Sequence, residues 1–216
     1  MSQAYEGHEE DREKIWNALG GTRGLIDSGL PSIIFLIAFN IHHSVKSASL
    51  IAVIASLLFA VIRLIRRETL QHALSGLFGI GICALFAILL HSASGFFLPS
   101  LIKNSIFALL YLGANLFNYP LIGVILGPIL GENMEWRNNP ARLAAYKKAG
   151  WLWAGMFLIR LAVQFPLYLQ NRLNLLGTAN IFLGYPLYAS VIWFTWRILR
   201  KVPAVKVTEP PQEDTL

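Results

Sequence analysis

Apolar residues along this chain come in long unbroken blocks rather than in the stripes of a surface helix. Runs without Asp, Glu, Lys or Arg extend from Ser28 to Val45, Ser47 to Ile62, Thr69 to Ile102, Asn104 to Gly131 and Leu173 to Trp196. A sixth, from Ala149 to Asn171, is interrupted once, at Arg160. A helix needs roughly 20 apolar residues to cross about 30 Å of hydrocarbon, and each run is of that size or near it. A soluble helix would turn one polar face to water, whereas these runs are apolar all round. The pattern predicts an all-α fold, a polytopic transmembrane helical bundle of about six spans. A polar leader is expected over residues 1–21, the six-span domain over 22–200 and a disordered tail, rich in Pro and acid, over 201–216.

Charge fixes the expected orientation. The net charge of +6 could suit a nucleic-acid binder, but the basic residues gather at the ends of the blocks and form no stripe, so no nucleic-acid partner is expected. Arg12, Lys14 and Arg23 precede span one; Arg63, Arg66 and Arg67 follow span two; Arg137, Arg142, Lys147 and Lys148 follow span four; Arg197, Arg200, Lys201 and Lys206 follow span six. The alternate connections hold Lys46, Lys103 and Arg172 alone, so the split is fourteen cations to three. The positive-inside rule then places both ends in the cytoplasm of a cell whose inner membrane the chain crosses. The acidic start MSQAYEGHEEDREK lacks the order of a cleavable signal, and span one is expected to persist in the mature protein.

Polar residues inside the spans mark the candidate site. Asn104, Tyr111, Asn115 and Asn118 recur at helical spacing in an expected span over 104–130, and Glu132 extends that face. Gly123, Gly127 and Gly131, at four-residue intervals, read as a close-packing contact and as a surface for homo-oligomerisation. Ala48, Ala52, Ser56 and Ala60, followed by Ser75, Gly79, Cys83 and Ala87, predict a packed hairpin of spans two and three. HSASGFFLPS reads as an external loop with Phe96 and Phe97 in the interface, and residues 140–148 as a short surface segment before span five. Arg160 lies about 15 Å into span five, with Gln164, Tyr168 and Asn171 on its face.

A cation at that depth costs about 2.5–3.5 kcal/mol on insertion scales and must face protein or water. Structurally it could donate to Asn115 or Asn118, or pair with Asp27. Functionally, its planar fork suits a phosphate or carboxylate. The expected polar cavity comprises Arg160, Gln164, Tyr168, Asn115, Asn118, Tyr111, Asp27 and Arg23. Its expected ligand is an anionic lipid or a small anionic solute, in a protein that meets membrane lipids as a matter of course. The lone Cys83, the adjacent His42 and His43, and the scarcity of Asp predict no metal, no cofactor and no enzymatic activity.

Two segments carry a family likeness: GGTRGLIDSGLP over residues 20–31 and WLWAGMFLIRLAVQFPLYL over 151–169. They resemble an actinobacterial family of six-span membrane proteins classed as a domain of unknown function. A more distant likeness is to the bacterial intracellular septation membrane proteins. The resemblance implies the span count and a bacterial cytoplasmic membrane, singles out Arg23, Asp27, Pro31, Arg160, Gln164, Pro166 and Tyr168, and implies no activity. The expected function is transporter-like or lipid-handling. The alternative is a non-catalytic structural or partner-binding component of the cell envelope. A membrane enzyme is a third reading, for which the clustered aspartates are missing.

Overall fold

The computed structural model describes residues 21–65 and 70–204. The expected leader up to residue 20, residues 66–69 and the tail from residue 205 lie outside the described residues, as do the side chains of Arg23 and Asp27. The described chain is helical, without strands. Its α-helices are α1 (Gly21–His42), α2 (Val45–Ile65), α3 (Leu70–Leu89), α4 (Leu98–Leu116), α5 (Leu121–Ile129), α6 (Pro140–Leu169), α7 (Leu173–Phe182) and α8 (Tyr185–Leu199). Short 3₁₀ turns cover Ala93–Phe97 and Glu135–Arg137.

Among the described residues four stretches are long and apolar enough to cross a membrane: Val45–Ile62, Ala93–Leu116, Pro140–Leu169 and Leu173–Leu199. Ser32–His42 and Leu77–Leu89 are shorter apolar stretches within α1 and α3. The all-α helical expectation therefore holds, with changed boundaries. The expected span over 104–130 is two helices, and its membrane-length part starts upstream, at Ala93. Lys103 consequently sits in the second turn of α4 and not in a connection. The surface segment over 140–148 is the first part of one 30-residue helix, α6. Phe96 and Phe97 are not at an interface: both are buried, with the Phe96 ring stacked on Phe35 at 3.9 Å.

Helix ends follow from local chemistry. At His91, Asn118, Gly131 and Asn171 the backbone turns to positive φ, and each helix closes with a paired set of bonds. For α5, Glu132 N donates to Gly127 O at 2.8 Å and Gly131 N to Pro128 O at 3.2 Å. For α4, Tyr119 N donates to Ala114 O at 2.8 Å and Asn118 N to Asn115 O at 3.3 Å. This is the Schellman closure, which satisfies the last carbonyls and favours Gly or Asn at the left-handed position. Pro120, two residues past Asn118, prevents continuation. Asn118 and Asn171 are thus caps, not members of a polar helix face. At the other end of α6, Asn139 Oδ1 accepts from Ala141 N and Arg142 N at 3.0 and 3.1 Å, the expected helix start before Pro140.

The chain divides into two compact units. One, the hairpin unit, comprises Gly20–Phe107 and Met156–Ala189. Here α2 and α3 pack as the expected hairpin, with Ala48, Ala52, Ser56 and Ala60 buried on α2. On α3 Ala87 is buried and Cys83 packs against the same core, joined by Ile80 and Ala84, while Gly79 is exposed with open space around it and the Ser75 side chain lies outside the described ones. Small side chains let the two backbones approach, and lipid tails gain nothing by separating them.

The other, the knot unit, holds Ala108–Gly155 and the chain from Ser190 on. Its glycines do pack closely, but against a side chain of the following turn. A Cβ on Gly123 would stand 2.9 Å from the Trp136 ring, and one on Gly127 would meet Trp136 and the Asn133 carbonyl. Gly131 has nothing within 4 Å and serves the turn at φ +73°. The face expected to meet another helix is filled by Trp136 of the same chain.

Beside Trp136 lies a buried ion pair that sequence reading did not find. Arg142 Nε donates to both Glu132 carboxylate oxygens at 3.0 Å, and a terminal nitrogen closes the fork. The other terminal nitrogen donates to Leu199 O at 2.9 Å and Val202 O at 2.6 Å, capping the end of α8. Tyr146 donates its hydroxyl to Glu132 at 3.2 Å and meets the Trp136 ring edge-on.

Gly127→Ala is expected to lower stability in detergent by about 1–3 kcal/mol, as overpacking does. Ile125→Leu, at a position 43% exposed, should be nearly silent. Thermal unfolding of the two variants checks this, and equal tolerance would mean Trp136 does not cover the glycines. Arg142→Met, which strands a buried carboxylate, should cost about 3–5 kcal/mol. Adding Glu132→Gln should recover a good part of that loss, measured by denaturant unfolding of the single and double variants.

Candidate functional site

Within the hairpin unit the buried polar side chains converge on the stretch where α4 begins and α6 ends. Asn104 and Gln164 are 0% and 2% exposed, and Asn104 Nδ2 donates to Gln164 Oε1 across 3.4 Å. Asn104 lies six residues from the start of α4 and Gln164 five from the end of α6, roughly 8–9 Å along each axis. One turn back on the same face of α6 is Arg160, 6% exposed. Its guanidinium sits over the Tyr188 ring at 5.5 Å and donates to the Tyr188 hydroxyl. Lys103, next to Asn104, feels the charge of Arg160. Two cations therefore share one region of an apolar unit.

What the cluster lacks is as specific as what it has. Asn104 Oδ1, Gln164 Nε2 and Arg160 Nε are buried without a hydrogen-bond partner. Exchanging O and N in both amides would only swap which amide keeps the spare donor and which the spare acceptor. Leaving such groups unpaired costs about 1–3 kcal/mol each, more for a charged one. Across the hairpin unit the sequence offers two carboxylates, Asp27 and Glu68, and neither side chain is among the described ones. Arg160 Nε and an amide N–H are thus buried donors without acceptors near positive charge, a chemistry that suits an anion.

The remaining residues expected in the cavity are distributed differently. Tyr111 and Asn115 belong to the knot unit, where Tyr111 stacks on Trp153 at 5.8 Å and Asn115 Nδ2 donates to the Lys147 carbonyl at 3.0 Å. Gly150 makes room for that amide, since a Cβ there would collide with it. Asn118 is exposed and accepts from the Lys147 ammonium. Asn115 Oδ1 is itself buried without a partner, whereas the Asn118 side-chain oxygen is taken by Lys147. Tyr168 packs, half-buried, against the core around Phe35 and Phe96. Arg23 and Asp27 fall outside the described side chains. Sequence reading named Asn104 without placing it in the site, and passed over Lys103 and Tyr188. The helical spacing of Asn104 from Tyr111 was a usable signal, whereas nothing in the local sequence distinguishes Tyr188.

Comparison with curated proteins and with solved structures gives no match. A family model described as Protein of unknown function (DUF3159) matches residues 19–206, a stretch that contains every residue of the cluster. With its apolar membrane-length helices, this integral membrane chain belongs to that family of unknown function, DUF3159.

Proposed function

We propose that the protein is a transporter-like or lipid-handling membrane protein that holds an anion at the polar cluster around Arg160. The observation that carries the reading is a buried guanidinium with an unpartnered Nε, beside a second cation, with no carboxylate among the described side chains of its unit. Water could satisfy the free N–H groups, but it cannot neutralise two positive charges in a low-dielectric region. An anion does both. The reading is of a binding site rather than a catalytic one: it needs only donors, charge and a way in.

Orientation supports access from one side. With Lys103 inside α4, the alternate side keeps only Lys46, in the first turn of α2, and Arg172, which sharpens the cation asymmetry for a six-span chain with both ends cytoplasmic. In that topology the start of α4 and the end of α6 face the outside, and the cluster lies roughly 8–9 Å below that surface.

Reporter fusions at Ser44, Ser94 and Asn174 should signal outside, and fusions at Asn138 and Ala204 inside. A cytoplasmic signal at Asn174 would remove the six-span topology. For the site, Arg160→Lys keeps the charge and loses the fork. In native nanodiscs it should shed a co-purifying anion while thermal stability changes by no more than about 1 kcal/mol. Native mass spectrometry of wild type, Arg160→Lys and Arg160→Gln reads the bound species. Unchanged ligand content in both variants would exclude an anion at Arg160.

A further inference from the structure

The hairpin unit also carries an open groove of about 380 Å³, lined by Phe86, Pro99, Ile102, Lys103, Ile106 and Phe107. That volume is within the range of about 300–1,000 Å³ typical of ligand sites. Five of its lining side chains are apolar, and the sixth is the cation beside Asn104. Lys103 is exposed and makes no hydrogen bond or ion pair among the described residues. An ammonium exposed inside a membrane-length stretch is costly unless an anion meets it.

A continuous wall joins groove and cluster. Phe107, from the groove, stacks on Phe157 with centroids 5.3 Å apart; Phe157 meets Tyr188 edge-on at 6.4 Å; and Tyr188 carries the Arg160 guanidinium. The open groove with Lys103 and the buried Arg160 are thus linked by one run of aromatic rings within one unit. A small inorganic anion would use the cations and leave the groove without purpose. A neutral lipid would use the groove and leave the cations unpaired. An anionic amphiphile uses both.

We infer that the anion held at this site is the head of an anionic lipid, its phosphate or carboxylate at Lys103 and its chain lying in the groove along Phe86, Ile102, Ile106 and Phe107. The inference rests on the anion reading of Arg160 and narrows it to one ligand class. Lys103 is the exposed contact for the head, and the free Nε of Arg160 and the spare amide N–H of the Asn104–Gln164 pair are buried donors of the same unit. The arrangement grades a lipid head from a mobile ammonium to a fixed fork.

The test uses the full-length protein in phosphatidylcholine nanodiscs, titrated with phosphatidylglycerol in one arm and with inorganic phosphate in the other. Binding is followed by native mass spectrometry, with thermal stability as a check on folding. Three variants are compared: Lys103→Gln, Ile106→Trp to fill the groove at a position 52% exposed, and Arg160→Lys. The inference expects phosphatidylglycerol to be retained by wild type and inorganic phosphate to have no effect. Lys103→Gln and Ile106→Trp should each weaken retention about tenfold, the loss of one charge-assisted contact or of the chain's place. If phosphate binds, and Ile106→Trp leaves that binding intact while Arg160→Lys removes it, the anion site stands and the lipid inference falls. Equal retention of phosphatidylglycerol by wild type, Lys103→Gln and Ile106→Trp would also overturn the inference. Binding of neither probe by wild type would remove both readings.

Discussion

Among the described residues two guanidiniums are buried, and the difference in what surrounds them organises everything else. Arg142 meets Glu132 through its fork, with carbonyls of Leu199 and Val202 taking the remaining donors. Arg160 meets an aromatic ring and a phenol, and its Nε meets nothing. Desolvating a charge is so costly that a protein normally supplies a counter-charge in the same fold, as it does at Arg142. Where none stands among the described residues, as at Arg160, the proposed reading takes the counter-charge from a ligand. One guanidinium is therefore read as structure and the other as site, from the same physical rule.

The structural guanidinium also explains how the knot unit closes. Arg142 stands in the first turn of α6, fixed by the Asn139 cap, while Glu132 follows the Gly131 turn and the carbonyls end α8. Trp136 fills the space left by Gly123 and Gly127 and lies against Tyr146, whose hydroxyl returns to Glu132. Each member satisfies a group that another leaves open, so the unit's polar ends are sealed before any lipid is considered. The buried Trp136 indole N–H, unpartnered beside Gly127, is the one loose end on that side chain.

Hydropathy made the helices legible because lipid-facing segments need no polar face, and that signal survives any detail of packing. Boundaries were harder wherever one residue type serves two ends. Asn118 and Asn171 fall at helical spacing from Asn115 and Gln164, so periodicity alone assigned them to faces. Their left-handed backbone shows the other use of asparagine, and the Pro120 two residues after Asn118 was the readable sign of it. Lys103 was misplaced for a related reason: taking every charge as the edge of a span hides a cation that lies within one. Arg160 escaped that error because apolar sequence flanks it on both sides. The pairing of Glu132 with Arg142 crosses a turn, a 3₁₀ segment and a helix start, and no periodic pattern spans those three.

The same reasoning bears on why the cluster uses amides where a carboxylate would have been simpler. A carboxylate at Asn104 or Gln164 would pair with Arg160 and Lys103, reproduce the closed arrangement of Glu132 with Arg142, and leave no charge to attract a ligand. An amide pair instead binds itself through one bond and keeps one donor and one acceptor whichever way both groups are turned. The donor can join Arg160 Nε on an incoming oxygen, and the acceptor suits a hydroxyl carried by the same head. Neutral amides thus hold the site in shape without filling it, and the two cations remain the only charges the ligand has to answer.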